Sequence, residues 1–214
     1  MNIVIVKYNA GNIQSVLYAL ERIGLNAVVT DDHAAIRSAD KVIFPGVGEA
    51  STAMAYLRER NLDKVLVSLT QPVLGICLGM QLMCSHSEEN NTGCLNIFQE
   101  PVKKFDPSVA GVQRVPAAKK GSLVTHQAHL KVPQIGWNNI FNLKSDLFKE
   151  VAENCYVYSV HSYYAALGAH TIATIDYVQP YSAALHTKNF YGVQFHPEKS
   201  ADTGEQILKN FLSL

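Results

Sequence analysis

The sequence predicts an α/β domain with a mostly parallel sheet and additional antiparallel strands in its second half. Three observations predict it. Short apolar runs alternate with helical repeats through the first half of the chain, the pattern of parallel strands with helices on their faces. The second half instead carries strand-like runs closed by short turns. The chain has 214 residues, of which 48% are hydrophobic and 17% charged, enough to bury a core and too apolar for disorder. No repeat, low-complexity tract or linker divides it, so residues 1–214 read as a single domain.

The elements follow in order. Ile3–Val6 is a fully apolar, β-branched run, as in a buried parallel strand. Asn12 is a plausible helix cap. Ile13, Val16, Leu17, Leu20 and Ile23 then fall on one helical face, closed by Gly24. Asn26–Val29 is a strand, His33–Ser38 a short helix and Lys41–Phe44 a third strand, giving β-α-β-α-β. Pro45-Gly46-Val47-Gly48 breaks the pattern before a helix near Ser51–Arg60. Val73–Ile76 is a buried strand that runs through Cys77 into a helix starting at Leu78.

Leu95–Phe105 and Gln134–Ile140 read as strands separated by a long loop, about Asp106–Val132. Tyr156–Val160 is another strand. Thr171–Tyr177, Ala183–Thr187 and Phe190–Gln194 read as antiparallel, with Lys188-Asn189 as the last turn. Asp202 and Glu205 resemble a capping box, and Ile207, Leu208, Phe211 and Leu212 line a final helix.

Charge excludes several functions. Lys and Arg number 18, as do Asp and Glu, which argues against nucleic acid or a membrane surface as partner. No apolar run reaches the length of about 18 residues of a membrane span. The N-terminus lacks the basic region and apolar core of a secretory signal. The four cysteines, at 77, 84, 94 and 155, fit neither a disulfide framework nor C-x-x-C pairs, so a cytoplasmic protein with reduced thiols is expected. His126 and His129 are too loosely spaced for a metal site, and no metal is expected. Neither a phosphate-binding P-loop nor a dinucleotide fingerprint is present, and no cofactor is expected.

Gly75-Ile76-Cys77-Leu78-Gly79 carries the chemistry. A strand ends at Cys77 and a helix begins after it, the frame of a nucleophile elbow with a thiol in place of the usual hydroxyl. Glycines two residues to either side let chain and substrate pass close. A helix N-terminus favours the thiolate. An unperturbed thiol is only about 3% ionised at pH 7, so full ionisation is worth about 30-fold. The Leu78 N–H, free in the first turn, can serve an oxyanion. A cysteine outside such a frame reads as a small buried apolar residue, and Cys84, Cys94 and Cys155 are read that way.

A thiol nucleophile needs a base. His196 follows a buried strand, in Gln194-Phe195-His196-Pro197-Glu198. Pro197 fixes the backbone after it, and Glu198 is close enough to accept the second imidazole N–H and set the tautomer. By itself this tripeptide could equally be a surface loop.

With these residues in view, the chain resembles a triad (class I) glutamine amidotransferase. Over nearly its full length it is similar to the HisH family, the glutaminase subunits of imidazole glycerol phosphate synthase. The matching segments include Gly11-Asn12-Ile13-Gln14-Ser15, Pro45-Gly46-Val47-Gly48 and Gly75 to Gln81. They continue with Gly136-Trp137-Asn138, Val160-His161-Ser162-Tyr163-Tyr164 and Gly192 to Ser200.

The resemblance implies a three-layer, flavodoxin-like fold. It implies that Cys77 attacks the side-chain amide of glutamine, that His196 acts as base and then as acid, and that Glu198 orients it. It implies an oxyanion site from the Leu78 N–H and the Val47–Gly48 turn, which in the family can need to flip into place. Gly48, Gln81, Ser162 and Tyr163 match positions that hold glutamine. It also implies a heterodimer with a (β/α)8-barrel cyclase subunit. That subunit would receive the ammonia and convert the nucleotide intermediate PRFAR to imidazole glycerol phosphate and AICAR in histidine biosynthesis. Trp137 and Lys199 would lie toward that partner.

Glu49-Ala50 departs from the pattern of many relatives, and no role is assigned to Glu49. The Asp106–Val132 stretch matches no family motif. Two other functions stay open at this level. One is the same chemistry serving another ammonia-using synthase; the other is a non-catalytic scaffold or thiol-redox protein of similar fold.

Overall fold

The computed structural model describes residues 1–9, 12–106, 108 and 131–214. Most of the predicted long loop, with His126 and His129, therefore lies outside the described residues, as does Gly11.

The first half alternates as expected: β1 (Ile3–Val6), α1 (Ile13–Arg22), β2 (Ala27–Thr30), α2 (His33–Ser38), β3 (Lys41–Gly46), α3 (Ala50–Glu59), α4 (Leu62–Val67), β4 (Val73–Cys77) and α5 (Leu78–Met83). The second half adds β5 (His86–Ser87), β6 (Thr92–Gly93), β7 (Val102–Lys104), β8 (Gln134–Asn139), β9 (Tyr156–His161), β10 (Tyr163–Ala165), β11 (Thr171–Asp176), β12 (Pro180–Thr187), β13 (Phe190–Val193) and α6 (Ala201–Ser213).

Seven strands form the central sheet in the order β11-β12-β13-β4-β3-β1-β2. The run from β13 to β2 is parallel throughout, and β12 is antiparallel to both its neighbours. Alternation along each strand builds two cores, one on each face. Ile3, Ile5, Leu74 and Ile76 face α1 and α6. Val4, Val6, Val42 and Val73 face α2, α3, α4 and α5. The result is three layers, as the resemblance implies. β8 and β9 form a separate antiparallel ribbon, and β10-β7-β5-β6 form a small second sheet.

Register explains why the functional segments meet. Gly46 at the end of β3 lies opposite Cys77 at the end of β4. Val193 at the end of β13 lies opposite Ile76. The carboxyl ends of three adjacent parallel strands therefore converge, the usual ligand position in open α/β sheets.

Three local expectations are corrected, and one open residue gains a role. Leu95–Phe105 is not one strand. The N–H groups of Leu95, Asn96, Ile97 and Phe98 donate to the carbonyls of Leu82, Cys84 and Met83, which the end of α5 leaves without helical partners. Only Val102–Lys104 is left to pair as a strand. Asn12 stands before α1 but makes no side-chain cap bond. The Asp202 capping box does not form. Ser200 precedes α6 without a side-chain cap bond, and Glu205 pairs with Lys209 instead. Glu49, left without a role, caps α3: its carboxylate accepts from the N–H groups of Ser51 and Thr52 at 2.8 and 2.9 Å.

Candidate active site

Cys77 closes β4 at φ 53° and ψ −110°. A non-glycine residue in such a region costs about 1–3 kcal/mol and persists only where its surroundings impose it. Here β4 must turn directly into α5. Gly79 makes this turn possible, because a Cβ at that position would stand 1.8 Å from the Phe44 carbonyl oxygen. The glycine two residues past Cys77 thus serves the packing of α5 onto β3. Leu78 is the first residue of α5 and lines the cavity in front of the thiol.

His196 is buried, and its Nδ1–H donates to Glu198 Oε1 at 2.8 Å. The backbone of β9 holds it from the side. The His196 N–H donates to the Tyr158 carbonyl at 2.9 Å. The Ser200 hydroxyl donates to the His196 carbonyl at 2.7 Å and accepts from the Tyr158 N–H at 2.9 Å. Pro197–Lys199 forms one 3-10 turn, which brings Glu198 back under the imidazole. Burial works against charge on His196. The hydrogen bonds and charges of Cys77 and Glu198 outweigh it and hold the imidazole well above its ordinary value. The arrangement thus favours an imidazolium between a sulfur and a carboxylate.

Sequence reasoning missed what holds Glu198. Asn12 Nδ2 donates to the same Oε1 at 2.6 Å, which is where the side chain read as a helix cap is used. The other oxygen, Oε2, is buried and has no protein partner among the described residues.

The cavity has a volume of about 340 Å³. Its lining brings together the predicted residues Val47, Gly48, Cys77, Leu78, Gln81, Ser162, Tyr163 and His196. Glu198 lies behind His196, outside that lining. Gly48 adopts φ +114°, a conformation that favours glycine, at the turn between β3 and α3. Gln81 donates to the Tyr163 carbonyl at 2.8 Å and to Gln194 Oε1 at 2.9 Å. Lys199 also lines the cavity.

Two titratable lining residues were not anticipated. Glu89 accepts from the Ala50 N–H at 2.7 Å, and burial raises its pKa above the ordinary carboxylate value. No periodicity marks it, because it lies in a short irregular turn. His161 ends β9. Burial pushes its imidazole down to about 3; the His196 charge adds to this, and the bond to the Tyr163 carbonyl opposes it. Its Nδ1–H makes that bond at 2.8 Å, so His161 is a neutral donor. Among the described residues, no group of three or more His, Cys, Asp or Glu is placed to hold a metal ion, and no helix is long and apolar enough to cross a membrane.

Residues 4–214 match the family profile of class-I glutamine amidotransferases. The solved structure of a putative GMP synthase component from Thermoplasma acidophilum superposes with a TM-score of 0.70 at 18% identity, covering 100% of this chain and 93% of that one. At that identity it shows the fold. "Imidazole glycerol phosphate synthase subunit HisH" of Bacteroides fragilis (strain YCH46) is 53% identical over 214 residues, covering all of both chains. The protein of the same name from Blochmanniella floridana is 44% identical over 216 residues, again covering all of both. The chain belongs to the class-I glutamine amidotransferases and, among them, to the HisH family of imidazole glycerol phosphate synthase subunits. It is an enzyme subunit of the kind that supplies ammonia from glutamine.

Proposed function

We propose that residues 1–214 form one glutaminase domain in which Cys77, His196 and Glu198 are the catalytic residues. The observation that carries this is the thiol at a strained strand–helix turn, lining one cavity together with a buried His196 that Glu198 orients.

The Cys77 thiolate adds to the side-chain amide carbon of glutamine. The N–H of Leu78 and one from the Val47–Gly48 turn receive the oxyanion; each such donor is typically worth about 3–4 kcal/mol. His196 gives its proton to the leaving nitrogen, and ammonia departs from a glutamyl thioester. Water then attacks the thioester, His196 takes its proton, and glutamate leaves. Gly48, Gln81, Ser162 and Tyr163 hold the substrate, and the Glu89 carboxylate suits its α-ammonium group.

The ammonia acceptor is a (β/α)8-barrel cyclase subunit that converts PRFAR to imidazole glycerol phosphate and AICAR, in the cytoplasm. The β8–β9 ribbon supports a docked partner beside the cavity. One of its faces exposes Ile135, Trp137, Tyr156 and Val160 to solvent, an apolar surface of the kind interfaces cover. Val160 and Lys199 belong both to this region and to the cavity lining. Glutamine hydrolysis is slow until the cyclase site is filled, a coupling between two sites. A glutaminase assay with and without the cyclase and PRFAR tests this. Hydrolysis that rises only when both are present supports the reading; a full rate from the isolated chain, unmoved by either addition, overturns the coupling.

A further inference from the structure

Gln194, just past β13, is fully buried, and its amide faces the thiol. Its Nε2 donates to Cys77 Sγ at 3.7 Å, and its Oε1 accepts from Gln81 Nε2 at 2.9 Å. The direction of this amide is fixed by counting donors. Gln81 Nε2 has two hydrogens. One goes to the Tyr163 carbonyl, which can only accept, and the other goes to Gln194. Gln194 must therefore turn its oxygen toward Gln81. Its N–H groups are left to face the sulfur.

We infer that Gln194 is a further catalytic residue, whose amide N–H stabilises the Cys77 thiolate, and that Gln81 orients that amide as well as lining the substrate pocket. A hydrogen bond to an ionised acceptor is roughly twice as strong as one between neutral groups, so this contact favours the thiolate over the thiol. It acts in the free protein, before glutamine arrives. The inference rests on Cys77 being the nucleophile, and it adds a second role for Gln81 that substrate contact alone would not require.

The test is the pH dependence of Cys77 alkylation by iodoacetamide in the full chain without glutamine, with the labelled residue assigned by mass spectrometry. Gln194→Met keeps the side-chain length and removes the donor. It should move the midpoint of the alkylation profile up by about one pH unit, which is about a tenfold smaller thiolate population on the acid side. Gln81→Met should move it in the same direction, because the Gln194 amide is then free to turn over. A residue that only binds glutamine would leave the profile of the free protein in place. Melting temperatures establish that the variants are folded, and if Gln194→Met is not, Gln81→Met decides. Wild-type profiles in the folded variants overturn the inference and leave the nucleophile standing. A wild-type chain in which Cys77 shows no pH-dependent labelling overturns both.

Discussion

At the residue scale, the site depends on groups that are each used more than once. Glu198 Oε1 accepts from both His196 Nδ1 and Asn12 Nδ2. The contact with Asn12 spans 186 positions in sequence, so no local pattern could announce it. Cys77 was legible because its frame is local: a strand, two glycines and a helix start within a few residues. His196 and Glu198 were legible for the same reason, being two apart across a proline. Gln194 and Glu89 were not legible from spacing, since their importance comes only from what the fold sets against them. The double use of Oε1 makes a prediction. In Glu198→Gln, one amide oxygen can still accept from both donors, so the imidazole keeps its orientation and loses only the charge beside it. His196→Ala removes the proton carrier, a role typically worth about 10²–10⁴-fold. Glutamine-dependent kcat in the complex should therefore fall much further in His196→Ala than in Glu198→Gln. Equal losses, or the reverse order, would remove the orienting role from Glu198.

At the element scale, the strongly patterned pieces were readable and those too short for a pattern were not. β1, α2 and the start of α5 lie where apolar runs and helical spacing place them. β5 and β6 have two residues each, too few for any alternation to show. The run from Leu95 is apolar enough to suggest a strand, but its N–H groups are taken by the end of α5. Glu49 shows the opposite case, a residue that fits no family expectation and has a plain local task. Its carboxyl is pushed down to about 2 by the Ser51 hydroxyl first, with the Thr52 and Ser51 N–H groups and Asn90 adding to this against burial. It fixes the start of α3 directly after the Val47–Gly48 turn, so this turn is held between the Gly46–Cys77 pairing on one side and this cap on the other.

At the scale of the whole molecule, one sheet order accounts for the site. Placing β4 between β3 and β13 brings the Val47–Gly48 turn and Cys77 together with His196, which lies more than a hundred residues further along the chain. The two buried imidazoles also shape stability with opposite signs. An unfolded histidine titrates near 6.5, whereas His161 in the fold is pushed down to about 3. Between those values the unfolded chain binds a proton that the folded chain refuses, so stability falls as the pH drops below about 6.5. His196 is raised by its partners. The stability it adds is fully present below about 6.5 and is lost as the pH rises toward its higher folded value. Urea unfolding across pH should therefore show a maximum near neutrality. His161→Gln should flatten the acid limb by up to about 1.4 kcal/mol per pH unit. An acid limb of unchanged slope in that variant would show that His161 is not the group responsible.

The division of labour between nucleophile and partner is the central claim, and Cys77→Ala in the assembled complex tests it most directly. Synthesis of imidazole glycerol phosphate is measured once with glutamine and once with an ammonium salt as nitrogen source. Loss of the glutamine-dependent reaction with the ammonium-dependent reaction retained is the predicted result. Glutamine-dependent synthesis that survives the substitution, or ammonium-dependent synthesis that disappears with it, would contradict the assignment of glutamine hydrolysis to Cys77.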